Sequence, residues 1–393
     1  MSADKDNIQT GRKGKPKWQL PVAFVAVAAV AAVAGGVIVN SVSGSGDSPT
    51  TAASGRGGEQ AQTVSDVTVV GEHRGYDEVH QGGEENLENV LVSTEWLDER
   101  LQEGSLSDQG IVLIDISEHL ASSELTPYQE GHIPQAQYVN WSEGFTQPNT
   151  REFITQDEFT ELAQSLGINE GDTIVLYGDN SNWFAAYGAW VFNLYGAEDV
   201  RLLDGGLHKW EVFDGRELTE EVPQVTQGDW VAQPQNLDIR ALQPEVLEVA
   251  EENVNDGDSD VTLVDIRSKD EYDGAIGVDP AIFGGEATTI WGHIPGAVNV
   301  TWSTIVDEET GQFLPADEIR AIYEEAGVDF DELIITYCRI GERASHTWYA
   351  LSQILGADVK VYDGSWTEWG NSVGVPVGNN TDQRAGLWGS SES

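Results

Sequence analysis

Only one of the 393 residues is cysteine, Cys338, and it sits in Tyr337-Cys338-Arg339-Ile340-Gly341-Glu342-Arg343. A thiol followed within five residues by two arginines, Arg339 and Arg343, has the makings of a nucleophile, because nearby cations favour the reactive thiolate. The same guanidinium forks suit an anionic substrate. An inert, buried cysteine is the plain alternative, and a basic loop does not resemble an apolar core.

The elements that must position this thiol can be read around it. Leu333-Ile334-Ile335-Thr336-Tyr337 reads as a buried strand, while Trp348, Leu351, Ile354 and Leu355 recur at helical spacing before Gly356. The pattern places Cys338 at the carboxyl end of a strand and over a helix N-terminus, where free N–H groups and the dipole favour an anion. A depressed thiol pKa is the expectation. With one cysteine no intramolecular disulfide can form, so any group carried on Cys338 must leave to an external acceptor.

Charge narrows the partners. Acidic residues number 67 against 20 basic ones, a formal net charge of −47. Such a surface argues against nucleic acid and is compatible with high salt, which screens self-repulsion. Runs such as Asp307-Glu308-Glu309 read as solvated loops. An anionic substrate would need a local positive field, which the arginine loop supplies.

The length suits about two domains of roughly 130 to 150 residues. Residues 1–17 carry Lys5, Arg12, Lys13, Lys15 and Lys17, and precede an uncharged, Ala/Val-rich stretch. Residues 18–40 are long enough for a transmembrane helix, with the basic flank in the cytoplasm and the rest of the chain outside. Ala32-Val33-Ala34 before Gly35 also resembles a signal-cleavage site, in which case the chain would be secreted. The apolar run continues through Val37-Ile38-Val39, which favours an uncleaved anchor. Residues 41–87 read as a flexible Ser/Gly-rich linker.

Beyond it the chain repeats itself. Leu113-Ile114-Asp115-Ile116 is echoed by Leu263-Val264-Asp265-Ile266, Gly131-His132-Ile133-Pro134 by Gly292-His293-Ile294-Pro295, and Leu203-Asp204-Gly205-Gly206 by Tyr362-Asp363-Gly364-Ser365. The order is the same in both halves, with an extra stretch around 275–290 in the second. Short apolar strands alternate with helical patterns such as Gln156 to Leu166 and Pro244 to Glu252, giving an α/β fold with a mostly parallel sheet flanked by helices in each half. The boundaries expected are 88–219 for domain 1, 220–237 for a Pro/Gln-rich interdomain linker, 238–378 for domain 2, and a disordered tail over 379–393.

These landmarks resemble the rhodanese family. Asp265-Ile266-Arg267, Gly292-His293-Ile294-Pro295-Gly296-Ala297, the Cys338 loop and Asp363-Gly364-Ser365-Trp366 occur in that family's order. The stretch Tyr337 to Trp348 is similar in particular to tandem-domain thiosulfate sulfurtransferases, in which the first domain is usually inactive. Here Gly178, Asp179 and Trp183 stand opposite Cys338, Arg339 and Arg343, so the first loop cannot accept sulfur. Its Trp183, Phe184 and Tyr187 either wall the cleft or simply pack.

The resemblance implies that Cys338 attacks the outer sulfur of thiosulfate, expels sulfite and becomes a persulfide, which cyanide, a thiol or an acceptor protein then discharges. Arg339, Gly341, Glu342 and Arg343 would form the substrate site, with Arg339 and Arg343 on the sulfonate oxygens. Asp265 and Arg267 would support it as a buried ion pair. A family position that can bear a second substrate arginine is Glu271 here. Cysteine-dependent phosphatases place one residue more between cysteine and arginine than the four found here, so a phosphatase or arsenate reductase is the runner-up. Enzymes specific for 3-mercaptopyruvate tend to have small neutral residues at Arg339 and Arg343. A sulfur-relay module serving a protein partner is the non-enzyme reading. His132 and His293 recur in both halves and read as turn residues. No metal-ligand cluster and no cofactor is indicated.

Overall fold

The computed structural model describes residues 90–381, apart from 119–124, 149, 256, 258, 279 and 281–284. The expected basic N-terminus, transmembrane or signal segment (18–40) and flexible linker (41–87) lie outside the described residues, as does the tail from 382 onward. Among the described residues no helix is long and apolar enough to cross a membrane.

The repeat in sequence is a repeat in topology. The first half folds into β1 (Leu91–Val92), β2 (Ile111–Asp115), β3 (Gln137–Tyr138), β4 (Thr173–Tyr177) and β5 (Val200–Leu203), in the sheet order β1-β5-β4-β2-β3. The second folds into β6 (Arg240–Ala241), β7 (Val261–Asp265), β8 (Val298–Asn299), β9 (Leu333–Tyr337) and β10 (Val359–Tyr362), in the matching order β6-β10-β9-β7-β8. Every strand pairing is parallel, and Asp115 stands opposite Tyr177 as Asp265 stands opposite Tyr337. β2 is buried at every position, which is why it reads as an unbroken apolar run rather than an alternating one.

The turn histidines repeat as well. His132 Nδ1 lies 2.7 Å from Tyr128 O with its ring stacked on Tyr128, and His293 Nδ1 lies 2.8 Å from Tyr272 O with its ring stacked on Tyr272. Ile133 N–H donates to the Tyr177 hydroxyl and Ile294 N–H to that of Tyr337, each at 3.0 Å. Both histidines therefore fasten turns to their sheets.

Helix α1 (Gln156–Ser165) begins at a capping box, in which the Thr155 and Glu158 side chains each bond the other's backbone N–H. Helix α2 (Trp183–Leu194) is apolar all round because it is covered all round: Trp190, Val191, Phe192 and Leu194 are fully buried. It packs against α5 (Glu342–Trp348) of the second half. In chain order α3 (Gln243–Asn255) and α4 (Lys269–Tyr272) come between these two. One contiguous apolar cluster contains buried residues of both halves, from Val112 and Trp190 to Trp348 and Val361.

The connection between the halves is a packed strap. Trp230 and Ala232 are buried, and N–H groups of Gly228, Trp230, Gln233 and Asn236 donate to carbonyls of the first half. At the far end, the residues expected to begin a disordered tail are bonded: Asn379 donates to Trp291 O and Asn380 to Asp273. Trp230 and Ala232 anchor the strap, while Asn379 and Asn380 bond through polar side chains that no apolar pattern marks.

Candidate active site

The loop after β9 is held by the turn after β10. Cys338 N–H donates to Ser365 Oγ (3.1 Å), whose hydroxyl donates to Tyr362 O (2.8 Å). Trp366 N–H and Thr367 N–H donate to the carbonyls of Cys338 and Arg339. Gly341 takes φ 102°, and a Cβ there would stand 2.9 Å from the Asp363 backbone, so glycine is required twice over. This turn aims Gly341 N–H at Cys338 Sγ, 3.1 Å away.

Strand end, loop and helix start thus place Cys338 where the sequence indicates, but its proton affinity is the reverse of the expectation. The side chain is fully buried, and burial pushes the thiol up, aided by the Glu342 carboxylate. Arg343 and the N–H groups of Ala344 and Gly341 oppose this and do not overcome it. Glu342 neither faces solvent nor pairs with an arginine: it is 2 % exposed, and its Oε2 accepts from Cys338 Sγ at 3.7 Å.

The two arginines divide. Arg339 forms an ion pair with Glu286 at 2.5 Å. Burial pushes the Glu286 carboxyl up, with Arg339 opposing. Arg343 is 8 % exposed, lies 3.8 Å from Glu271, and has its guanidinium carbon 5.8 Å from the ring centre of Trp183. Burial works against its charge, yet Glu271, Cys338 and Glu342 outweigh that and raise its pKa. Its Nε and Nη2 are buried without a hydrogen-bond partner. Two unused charge-bearing donors beside a thiol form a ready anion site.

Asp265 and Arg267 form the expected buried ion pair, with Nε 2.9 Å from Oδ1. Arg267 also donates to Gly292 O (2.7 Å) and lies under Trp366. It braces the sheet end and the Gly-His-Ile-Pro turn. Glu271 caps α4 through Ser268 and faces Arg343. Burial opposes its charge, but Arg343 and Arg267 prevail and lower its pKa.

Three groups at the site lie outside any repeated motif. Glu286 belongs to the stretch that the first half lacks. Arg151, from the first half, donates to Ile340 O at 2.5 Å and so holds the loop carbonyl next to Gly341 N–H. Glu118, also from the first half, feels Glu342 and Arg339, and burial raises its pKa. The extra stretch was the signal for Glu286; a single arginine in an acidic chain gave none for Arg151.

The first-half loop is closed by its own side chain. Asn182 Oδ1 accepts from Gly178 N–H at 3.0 Å, and Gly206, standing where the second half has Ser365, leaves room for it. Asp179 replaces Arg339, and burial pushes its carboxyl up to about 7. No thiol and no cation occupy this loop.

A buried thiol on a strand-to-helix loop, lined by an N–H group and an unsatisfied guanidinium, defines a cysteine-based group-transfer site on an α/β scaffold. The chain belongs to the rhodanese family: the rhodanese-like domain matches residues 93–212 and 246–372. A relative from Saccharopolyspora erythraea, named "Putative thiosulfate sulfurtransferase", is 44% identical over 299 residues, covering 76% of this chain and 99% of that protein. The sulfur carrier protein TtuD of Thermus thermophilus is 44% identical over 289 residues, 73% of this chain and 96% of that one. Among solved structures, the 3-mercaptopyruvate sulfotransferase SseA of Escherichia coli matches with a TM-score of 0.57 and 26% identity, over 70% of this chain and 98% of that one. The protein is a rhodanese-type sulfurtransferase.

Proposed function

We propose that the protein transfers the outer sulfur of thiosulfate to a thiophilic acceptor through a persulfide on Cys338. The observation that carries this reading is Arg343: a buried guanidinium with two unused N–H groups beside the only thiol. Cys338 Sγ attacks the outer sulfur of thiosulfate, the S–S bond of the donor breaks, and its electron pair leaves on sulfite. Arg343 binds the sulfonate oxygens, joined by Arg339 as the donor displaces Glu286. Gly341 N–H steadies the charge on sulfur. In the second half-reaction an acceptor attacks the outer persulfide sulfur and returns the S–S electron pair to Cys338.

Relatives named for thiosulfate support this donor, and the cationic loop supports it over the neutral 3-mercaptopyruvate type. Turnover of thiosulfate with cyanide, set against turnover of 3-mercaptopyruvate, tests the assignment. Faster use of thiosulfate that disappears in Cys338→Ser is the expected result, and faster use of 3-mercaptopyruvate overturns it.

A second reading has one specific support. TtuD is named a sulfur carrier at the same identity as the thiosulfate relative. Under this reading the persulfide passes to a protein partner, and turnover with small acceptors is slow while loading from thiosulfate is fast. For location we propose a membrane-tethered protein with its two domains outside the cytoplasm, on the strength of the basic 1–17 and apolar 18–40 stretches. Release from the membrane fraction on deletion of residues 1–40 tests it.

A further inference from the structure

Glu342 is an odd residue for the floor of an anion site. Its carboxylate would repel both a thiolate and a dianionic donor, yet it is buried against Cys338 with Oε2 3.7 Å from Sγ. In this contact the thiol is the donor and the carboxylate the acceptor. A protonated thiol is a poor nucleophile, so its proton must go somewhere before or during attack.

The neighbouring groups leave one acceptor. Arg339 and Arg343 are cations and accept nothing. Glu286 is engaged by Arg339 and Glu271 faces Arg343. Arg151 is bonded to Ile340 O, and Glu118 approaches from the first half toward Arg339. Burial holds the proton on Tyr187, which lies in the field of Asp363 and Glu342. Among the described residues, Glu342 is the carboxylate within hydrogen-bond reach of the sulfur.

We propose that Glu342 is a catalytic base that takes the Cys338 proton as the sulfur attacks its donor and passes it to the departing sulfite. This rests on the reading of Cys338 as the nucleophile and thiosulfate as donor. The step balances. The new Sγ–S bond forms, the donor's S–S bond breaks with its pair on sulfite, and the proton moves from Sγ to Glu342 Oε2 and then to sulfite. Hydrogen sulfite and a persulfide anion together carry the two negative charges that thiosulfate brought, and no outside oxidant or reductant enters. The transfer also neutralises Glu342 as the dianion arrives, so the buried site never holds carboxylate, thiolate and dianion at once.

The competing role, a carboxylate that acts by charge alone, predicts the opposite sign. Single-turnover sulfur loading of the full chain from thiosulfate, wild type against Glu342→Gln, is followed from about pH 6 to about pH 9. As a base, Glu342 makes the glutamine variant about 100-fold slower near neutrality. The deficit shrinks as pH rises, and the solvent deuterium isotope effect of the wild type is lost. Loading as fast as wild type, or faster, near neutrality overturns the proposal. Should the variant fail to fold, the wild type decides: a normal solvent isotope effect on loading supports proton transfer in the step, and its absence overturns it. Wild type that takes no sulfur from thiosulfate overturns the donor assignment instead, and the same comparison with inorganic polysulfide then tests Glu342.

Discussion

The guanidinium of Arg343, in the second half of the chain, lies over the indole of Trp183, in the first, 5.8 Å from the ring centre. The half without a thiol therefore builds one side of the site. Trp183 in turn meets Trp302 edge-on at 5.2 Å, so the cation rests on an aromatic pair from both halves. Trp183→Ala is expected to raise the KM for thiosulfate by about 3- to 10-fold, the loss of one cation–π contact, with a smaller effect on kcat. Trp183→Phe restores most of the affinity. Steady-state kinetics of the two variants check this, and an unchanged KM in Trp183→Ala contradicts it.

The unequal partners of the two arginines give unequal variants. Arg343→Ala is expected to slow persulfide formation by about 100-fold or more, and Arg343→Lys to recover little, because a point charge cannot supply two fixed N–H donors. Glu286→Gln acts in the opposite direction: it releases Arg339 and lowers the KM for thiosulfate. Stopped-flow loading and initial rates report the two effects. A Glu286→Gln variant with a raised KM would show that this carboxylate orders Arg339 rather than competing with the donor.

Equivalent places in the two sheets carry Asp115 and Asp265, both fully buried. Asp265 has Arg267; Asp115 has Ser117 at that position and accepts its N–H at 2.8 Å. Burial raises the Asp115 pKa, so its contribution to stability is present at low pH and lost as pH rises through the raised value. Asp115→Asn is therefore expected to be neutral or stabilising by about 1 kcal/mol at pH 7, whereas Arg267→Met, which strands Asp265, destabilises by about 3 to 5 kcal/mol. Denaturant unfolding of both variants decides. Equal losses would contradict the difference drawn between the halves.

How much of this could be read from the chain differs by element. The strand before Cys338 and the glycine within its loop follow from apolar runs and turn chemistry, which act over a few residues. The repeat exposed the tandem topology and placed His132 and His293 in turns. The thiol's proton affinity did not follow, because it depends on the burial of Cys338 and on the direction of the Glu342 side chain, both tertiary facts. Arg339 and Arg343 look alike in sequence, yet Glu286 pairs with the first while Glu271 and Trp183 meet the second, contacts set by tertiary packing. Arg151 reaches Ile340 across 189 positions, a contact that no local pattern encodes.

His346 supplies a pH dependence with a definite sign. Fully buried between Phe313 and Trp302, its imidazole is moved from 6.5 down to about 3 by burial, which the Ser181 backbone only partly offsets. The folded state then holds one proton fewer than the unfolded chain between those values. Its stability contribution is complete above about pH 6.5 and is lost as pH falls toward 3. Between pH 7 and pH 4.5, His346→Gln should lose about 2 kcal/mol less stability than wild type. Parallel losses in the two proteins would contradict the assignment.

The persulfide on Cys338 is the centre of the account, and intact mass tests it most directly. The full chain is weighed before and after thiosulfate, then after cyanide, with Cys338→Ser alongside. The account predicts a gain of one sulfur atom on the wild type, none on the variant, and its removal by cyanide. No gain on wild type, or an equal gain on Cys338→Ser, contradicts it.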